Sequence, residues 1–145
     1  MRLVIQRVES AQVEVAGDLI AKIGKGLLVL VGIGKNDDGS SLEWLANKTV
    51  DLRIFEDENQ KMNLGLRDVN GEILLVSQFT LYADCQRGRR PGFDQAAQPE
   101  IAEKQFNEFV QVVNRLGIKV KTGLFGADMK VSLVNDGPVT IILER

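Results

Sequence analysis

Residues 26–33 read GLLVLVGI, an almost wholly apolar run. A strand with one face in water alternates apolar and polar residues, whereas a short apolar run without that alternation is typical of a strand covered on both faces. Crossing a bilayer would take about 20 apolar residues, far more than this run contains. The stretch therefore predicts a central strand with other elements packed on both sides.

The chain before the central strand is predicted to form a β-meander. Alternation of apolar and polar residues indicates strands at 2–8, 11–16 and 19–23. Gly17 and Asp18 lie where a two-residue hairpin loop would join the second of these strands to the third.

Two helices are predicted after the central strand. From Ser40 onwards apolar residues recur with helical spacing as far as Leu52, and Ser40 or Ser41 is placed to cap the first turn. The second helix is predicted to begin at Pro99, which suits the first helical position, and to end at Gly117, which suits a C-terminal cap.

Five further strands are predicted along the rest of the chain. They are 53–55 (RIF), 73–83 (ILLVSQFTLYA), 118–123 (IKVKTG), 129–134 (MKVSLV) and 138–143 (PVTIIL). In the second of them, alternation would place Gln78, Thr80 and Tyr82 on one face. Residues 135–138 (NDGP) are turn formers between the last two strands. This pattern predicts an α+β fold, a mainly antiparallel curved sheet or β-barrel with two packed helices, formed as a single domain by residues 1–145.

The amino-acid composition excludes several kinds of site. The chain contains no histidine, which removes Ser-His and Cys-His nucleophile pairs and His-ligated zinc. The single cysteine, Cys85, cannot form an internal disulfide, and the glycines of 26–35 lack the spacing of a phosphate-binding loop. We therefore expect no metal and no cofactor, and chemistry that depends on backbone dipoles, hydroxyls, carboxylates, lysines or the substrate itself.

Charge and the first residues bear on partners and location. Lys and Arg number 18 and Asp and Glu number 20, so the net charge is −2 and no global field attracts nucleic acid or anionic membrane. Any RNA contact must therefore be local. The start, MRLVIQRVES, lacks the apolar core of a signal peptide, so we expect a cytoplasmic protein without a membrane partner.

A glycine-rich loop at 86–93 (QRGRRPGF) carries three arginines, Arg87, Arg89 and Arg90. Three guanidinium groups on a loop suit phosphate recognition better than they suit a core. A solvated loop without a ligand is the alternative, and composition alone leaves both interpretations open.

Several short segments spread along the chain form a recognisable set. They are IQRVESAQVEV at 5–15, KMN at 61–63, VSQFTL at 76–81, GRRPGF at 88–93, GLFGADMKV at 123–131 and NDGPVT at 135–140. Together they resemble the D-aminoacyl-tRNA deacylase family over essentially the whole chain. The resemblance implies a chiral-proofreading hydrolase that cleaves the ester of D-aminoacyl-tRNA, and of glycyl-tRNA mischarged on tRNA-Ala, while it rejects L-aminoacyl-tRNA.

The resemblance also implies a homodimer whose active site lies across the interface. In such proteins the Gly137-Pro138 bond is cis and holds two carbonyl groups nearly parallel, pointing into the pocket of the other subunit. Carbonyl oxygens only accept hydrogen bonds, so they suit the α-ammonium of an aminoacyl ester and crowd a side chain that branches in the L direction. A D side chain would project outwards.

The SQFT segment is expected to hold the reacting ester. Backbone N–H groups around Gln78 and Phe79 are the expected oxyanion donors, and Ser77 is an expected substrate contact. Thr80 would be either a nucleophile or a hydroxyl that orients water, and the second role is favoured because no base adjoins it in sequence. The ribose 2′-hydroxyl of the terminal adenosine can supply the activating group that the protein lacks.

The remaining predicted contacts surround this centre. Phe125 and Met129 are expected either to line the adenine pocket or to belong to the core. Arg7 is expected to brace the Gly-Pro carbonyls as a charged donor. The arginines of the 86–93 loop would contact phosphates along the acceptor stem.

Two other functions remain open on composition and periodicity alone. One is a non-catalytic RNA- or protein-binding β-module in which NDGP is merely a turn, and the other is an esterase or amidase acting on small metabolites. The pairing of SQFT with NDGPVT favours the deacylase, because a plain binding module has no reason to carry both motifs.

Overall fold

The computed structural model describes all 145 residues. The strands are β1 (Arg2–Val15), β2 (Asp18–Ile23), β3 (Gly26–Gly32), β4 (Phe55–Glu56), β5 (Met62–Leu64), β6 (Glu72–Ser77), β7 (Lys119–Thr122) and β8 (Lys130–Glu144). The helices are α1 (Leu42–Asp51) and α2 (Pro99–Arg115), with one 3₁₀ turn at Phe79–Tyr82. Neither α-helix combines the length and the apolar content that a bilayer-spanning helix requires.

The sheet has the strand order β2-β1-β3-β6-β7, and β8 pairs with β1. The β1 strand is antiparallel to β2, β3 and β8, whereas β3, β6 and β7 run parallel to one another. The β2 and β7 strands also contact each other, so the curved sheet nearly closes into a barrel. The predicted α+β fold is confirmed, with the correction that the sheet is mixed.

The central strand β3 is covered on both faces, as its apolar run predicts. Leu27, Val29 and Val31 point into the larger apolar cluster, which includes the buried faces of α1 and α2. Leu28 packs in a smaller cluster formed by side chains of β1, β2, β3 and β6. Each of these side chains is almost completely buried, which contributes about 1.5–3 kcal/mol apiece to the hydrophobic stabilisation of the fold.

Both predicted helices form. Pro99 occupies the first turn of α2, and Gly117 follows the helix with a φ of +79°. Ser41 occupies the N-cap position of α1, but its side chain makes no capping hydrogen bond, so that part of the prediction is wrong.

The N-terminal strands differ from the prediction in their boundaries. The two strands predicted at 2–8 and 11–16 form one long strand, β1, which ends at Val15. Its first half pairs with β3 and its second half with β2. The loop to β2 is Ala16–Gly17, where φ is +52° and +93°, positive at both positions as a type I′ hairpin requires. Asp18 already pairs with Val15.

The strand predicted at 53–55 is β4, which begins only at Phe55. Two other predictions, the strand at 73–83 and the turn at 135–138, are wrong, and both concern the site. The β6 strand ends at Ser77, so Gln78, Thr80 and Tyr82 do not alternate along a strand. The segment 135–138 does not reverse the chain, because both halves of β8 run antiparallel to the same strand, β1. It is instead part of a large bulge within β8, in which residues 136–139 lie opposite a single residue of β1.

Candidate functional site

A cleft of about 570 Å³ opens where the parallel strands β3 and β6 end. Its wall includes five of the residues predicted for the site, namely Ser77, Gln78, Phe79, Phe125 and Met129. The carboxyl ends of parallel strands are a common place for ligands in sheets with this local topology. The sequence motifs SQFTL and GLFGADMKV therefore meet in space, although about 45 residues separate them in the chain.

The chain after β6 turns sharply because the end of β3 leaves room for it. The Gln78 N–H donates to the Val31 carbonyl at 2.8 Å, and the 3₁₀ turn then lies over Gly32 and Gly34 at the end of β3. A Cβ on Gly34 would stand 2.8 Å from the Tyr82 ring, so only glycine allows this approach. These glycines, which have no phosphate-binding spacing, thus serve the packing of the SQFTL segment.

Side chains from the start of β1 hold the 3₁₀ turn in place. Arg2 donates from Nη1 to the Leu81 carbonyl at 2.5 Å and lies 5.0 Å from the centre of the Tyr82 ring. The Tyr82 hydroxyl lies 3.4 Å from Asp37 Oδ2. Burial, followed by the nearby Asp37 carboxylate, raises the pKa of Tyr82 to about 12, so this anchor stays neutral at physiological pH.

The polar centre of the turn is a pair formed by Gln78 and Thr80. The Gln78 side-chain amide donates from Nε2 to Thr80 Oγ1, and Thr80 itself is exposed beside the cleft. Because the Gln78 backbone N–H already donates to a carbonyl, it is not free to bind an oxyanion. The predicted oxyanion role of Gln78 is therefore corrected, and Phe79 remains as the candidate backbone donor.

Phe125 and Met129 were predicted either to line a pocket or to belong to the core, and each of them does both. Both line the cleft and both are half-buried. Phe125 also packs against Phe106 of α2, with ring centroids 6.0 Å apart, and Met129 packs against the smaller apolar cluster. They are core residues that present one side to the cleft.

The bulge in β8 is built around Arg7, which alone lies opposite residues 136–139. The Arg7 side chain is buried, and it donates from Nε to the Asp136 carbonyl at 2.8 Å and from Nη1 to the Ile54 carbonyl at 2.5 Å. The Asp136 carboxylate lies 3.3 Å from the same Nε. Arg7 therefore braces the carbonyl that precedes the Gly-Pro pair, and the prediction that it binds the Gly-Pro carbonyls themselves is corrected.

Asn135 closes the neck of the bulge. Its Oδ1 accepts the Val139 N–H at 2.9 Å and its Nδ2 donates to the Val139 carbonyl at 3.1 Å. The Asn135 side chain thus makes the two hydrogen bonds that the backbone of a neighbouring strand would otherwise make with Val139. Gly137 has a φ of +147°, and a Cβ there would lie 2.6 Å from the Val139 nitrogen. The conformation is therefore available only to glycine. The Gly137-Pro138 peptide bond is cis.

The bulge and the cleft are separate within one chain. Gly137 and Pro138 are exposed, and neither they nor Arg7 contributes to the cleft wall. Thr80 stands outside the wall and reaches it only through Gln78. A single chain thus brings together the SQF segment, Phe125 and Met129, but not the Gly-Pro pair.

The three arginines of the 86–93 loop are exposed and make no ion pair within the chain. The loop is closed at its base by Asp84 and Gly92, which exchange two backbone hydrogen bonds of 2.8 Å. Its guanidinium groups are therefore available to a ligand, while its ends are fixed next to the cleft.

Two residues of this region were not singled out from the sequence. Asn135 suits a turn by its local chemistry, but its two hydrogen bonds to Val139 depend on the shape of the bulge, which the sequence does not indicate. Phe93 also lines the cleft, in contact with Phe79. A lone phenylalanine at the end of the 86–93 loop carries no periodicity that indicates a role in the site.

Comparison with known proteins places the chain in a family. The family model described as D-Tyr-tRNA(Tyr) deacylase matches residues 4–144. A protein of Thermosipho africanus named D-aminoacyl-tRNA deacylase is 58% identical over 144 residues, covering 99% of this chain and 97% of that protein. A protein of Desulfatibacillum aliphaticivorans with the same name is 61% identical over 144 residues, covering 99% of each.

Two solved structures share the fold of this chain. The structure of a c-Myc DNA Unwinding Element Binding Protein is 42% identical, with a TM-score of 0.93 over 100% of this chain and 99% of the other. The structure of a probable eukaryotic D-amino acid tRNA deacylase shares the fold at 17% identity, with a TM-score of 0.86 over 98% and 97% of the two chains. The resemblance seen in the sequence motifs is confirmed, and the chain belongs to the D-Tyr-tRNA(Tyr) deacylase family.

Proposed function

We propose that this chain hydrolyses the ester of D-aminoacyl-tRNA and releases the free amino acid and the tRNA. Membership of the deacylase family supports the proposal. The structural observation that carries it is the cleft that joins the SQF segment to Phe125 and Met129. Such a concave, mostly apolar site with a few polar groups suits a small organic group, here the terminal aminoacyl-adenosine.

In the proposed reaction, water attacks the ester carbonyl carbon, the bond from this carbon to the ribose oxygen breaks, and the ribose oxygen takes up a proton. The Phe79 N–H is the proposed donor to the oxyanion. The Gln78 side chain, held by Thr80, is placed to orient the water. Because the chain has no histidine, we assign the proton transfer to the 2′-hydroxyl of the terminal adenosine.

We assign the rejection of L-aminoacyl esters to the Gly137-Pro138 bulge of a second copy of the chain. The bulge is exposed, and it is held from inside by Arg7 and at its neck by Asn135. A rigid wall of acceptors fits the α-ammonium of the substrate and discriminates by steric exclusion. Glycine has no side chain to exclude, so glycyl-tRNA mischarged on tRNA-Ala is a second proposed substrate.

The face formed by β1 and β8 is the proposed dimer interface. The outer edge of β8 pairs with no other strand, and Val134 and Ile142 on this strand are 51% and 65% exposed. An edge strand that exposes large apolar side chains such as these is often covered by another element or another chain. A two-fold arrangement would bring each bulge to the cleft of the other copy.

If the cleft holds the aminoacyl ester, the adjoining residues would contact the adenosine and the acceptor stem of the tRNA. Phe125 and Met129 would enclose the adenine, and the exposed arginines of the 86–93 loop would bind phosphates of the acceptor stem. Binding would then depend on a local patch in a protein whose net charge is −2.

The proposed function is tested with D-Tyr-tRNA and L-Tyr-tRNA prepared on the same tRNA and incubated with the protein and a chelator. We expect rapid release of D-tyrosine and no acceleration of L-tyrosine release. Hydrolysis of both hands at equal rates, or of neither, contradicts the proposal. A small-metabolite esterase would instead cleave D-tyrosine methyl ester as readily as the tRNA ester.

The role of Thr80 is tested by removing only its hydroxyl. Thr80→Val should lower kcat for D-aminoacyl-tRNA by about 100-fold and leave KM nearly unchanged, because Gln78 loses the partner that orients it. Thr80→Ser should retain most of the activity. A complete loss of turnover with D-aminoacyl-tRNA still bound would point to Thr80 as a direct chemical participant.

A further inference from the structure

Two aromatic rings stand at the mouth of the cleft. Phe79 and Phe93 both line it, and they are 56% and 38% exposed. Their ring centroids are 5.0 Å apart and their planes are inclined at 64°, an edge-to-face contact. Large apolar side chains that stay this open at the rim of a site are candidates for ligand contact.

The aromatic pair lies between the cleft and the three arginines of the 86–93 loop. Phe79 belongs to the 3₁₀ turn that follows the cleft strand β6. Phe93 directly follows Gly92, which closes the base of the loop with Asp84. A path from the cleft to the unpaired guanidinium groups therefore passes the two rings.

We propose that Phe79 and Phe93 form a stacking site for an unpaired nucleobase of the substrate RNA, the base that immediately precedes the terminal adenosine. The inference rests on the proposed function, because it takes the cleft to hold the terminal aminoacyl-adenosine. Proteins bind single-stranded RNA through aromatic side chains on which bases stack and cationic groups that follow the phosphates. An RNA strand that leaves the cleft would meet the two aromatic rings first and the arginines of the 86–93 loop next.

The test begins with substitutions of Phe93. Phe93→Ala should raise KM for D-aminoacyl-tRNA by about 5- to 150-fold, since base stacking on an aromatic side chain is usually of that size. Phe93→Trp should restore KM because it keeps an aromatic face, whereas Phe93→Leu, which keeps only apolar bulk, should not. If Leu serves as well as Phe, the ring is packing and not stacking, and the proposal is wrong.

The second arm removes the base instead of the ring. A D-aminoacyl-tRNA with an abasic nucleotide before the terminal adenosine should show, with the natural protein, the same rise in KM. Phe93→Ala should then add little on the abasic substrate, because the two changes remove one interaction. Fully additive losses, or a Phe93→Ala protein that has become monomeric by sedimentation, overturn the stacking site.

The two arms also separate this inference from the proposed function. If the natural protein deacylates the intact D substrate but the abasic nucleotide has no effect, only the stacking site fails. If the natural protein deacylates neither substrate, the proposed function fails first.

Discussion

Replacing Gly137 by alanine should lower kcat/KM for D-aminoacyl-tRNA by about 100-fold or more, because displacing a site wall by about 1 Å has effects of that size. The φ of +147° is poorly accessible to alanine, and the new Cβ would stand 2.6 Å from the Val139 nitrogen and 2.8 Å from Val139 Cγ2. Both contacts lie within the bulge, so the bulge must change shape. Steady-state kinetics with D and L substrates would measure the loss.

The control for this change is Gly117→Ala. Gly117 also has a positive φ, +79°, but a Cβ there would meet nothing within 4 Å, and it follows α2 away from the bulge. This variant should lose about 1 kcal/mol of stability and keep its kcat/KM. Equal kinetics for the two variants would show that the shape of the bulge does not matter to the reaction.

Replacing Arg7 by methionine should cause the largest loss of stability, lowering the free energy of unfolding by about 3–5 kcal/mol. The change leaves the buried Ile54 carbonyl and the partly buried Asp136 carbonyl without the donors they have now. Arg7→Lys should recover only part of the loss, since an ammonium group cannot span the two acceptors as the guanidinium fork does. Urea unfolding of each variant would give the values.

The matched surface change is Arg67→Met. Arg67 also forms an ion pair, 3.3 Å from the Asp51 carboxylate, but both side chains are at least half exposed. Its removal should change the free energy of unfolding by less than about 1 kcal/mol. An Arg7 variant as stable as the Arg67 variant would mean that the bulge does not depend on its internal cation.

The fold was predictable wherever one periodicity dominated. The apolar run 26–33 correctly indicated a strand covered on both faces, and α2 carried signals at both ends, Pro99 and Gly117. Strand direction was less accessible, because β3, β6 and β7 become parallel only through helical connections whose return path no local pattern specifies. The sheet was therefore predicted as more antiparallel than it is.

The two site errors share one physical cause. In SQFTLYA an alternating pattern continued past the end of β6, and the 3₁₀ turn forms because distant glycines beside it make space. In NDGP the turn-forming residues were read correctly as local chemistry, but their consequence is a bulge because Arg7 fills its interior. Both outcomes depend on tertiary contacts that lie outside any sequence window.

In the dimer that we propose, the Gly-Pro bulge of one subunit completes the cleft of the other, and mixed dimers test this arrangement directly. Thr80→Val and Gly137→Ala chains can be co-expressed with different affinity tags, and the mixed dimers purified through both tags. Each mixed dimer would hold one site with both defects and one intact site, so it should regain about half of the natural D-aminoacyl-tRNA deacylase activity, although each parent dimer is nearly inactive. Mixed dimers as inactive as their parents would contradict a site divided between two chains.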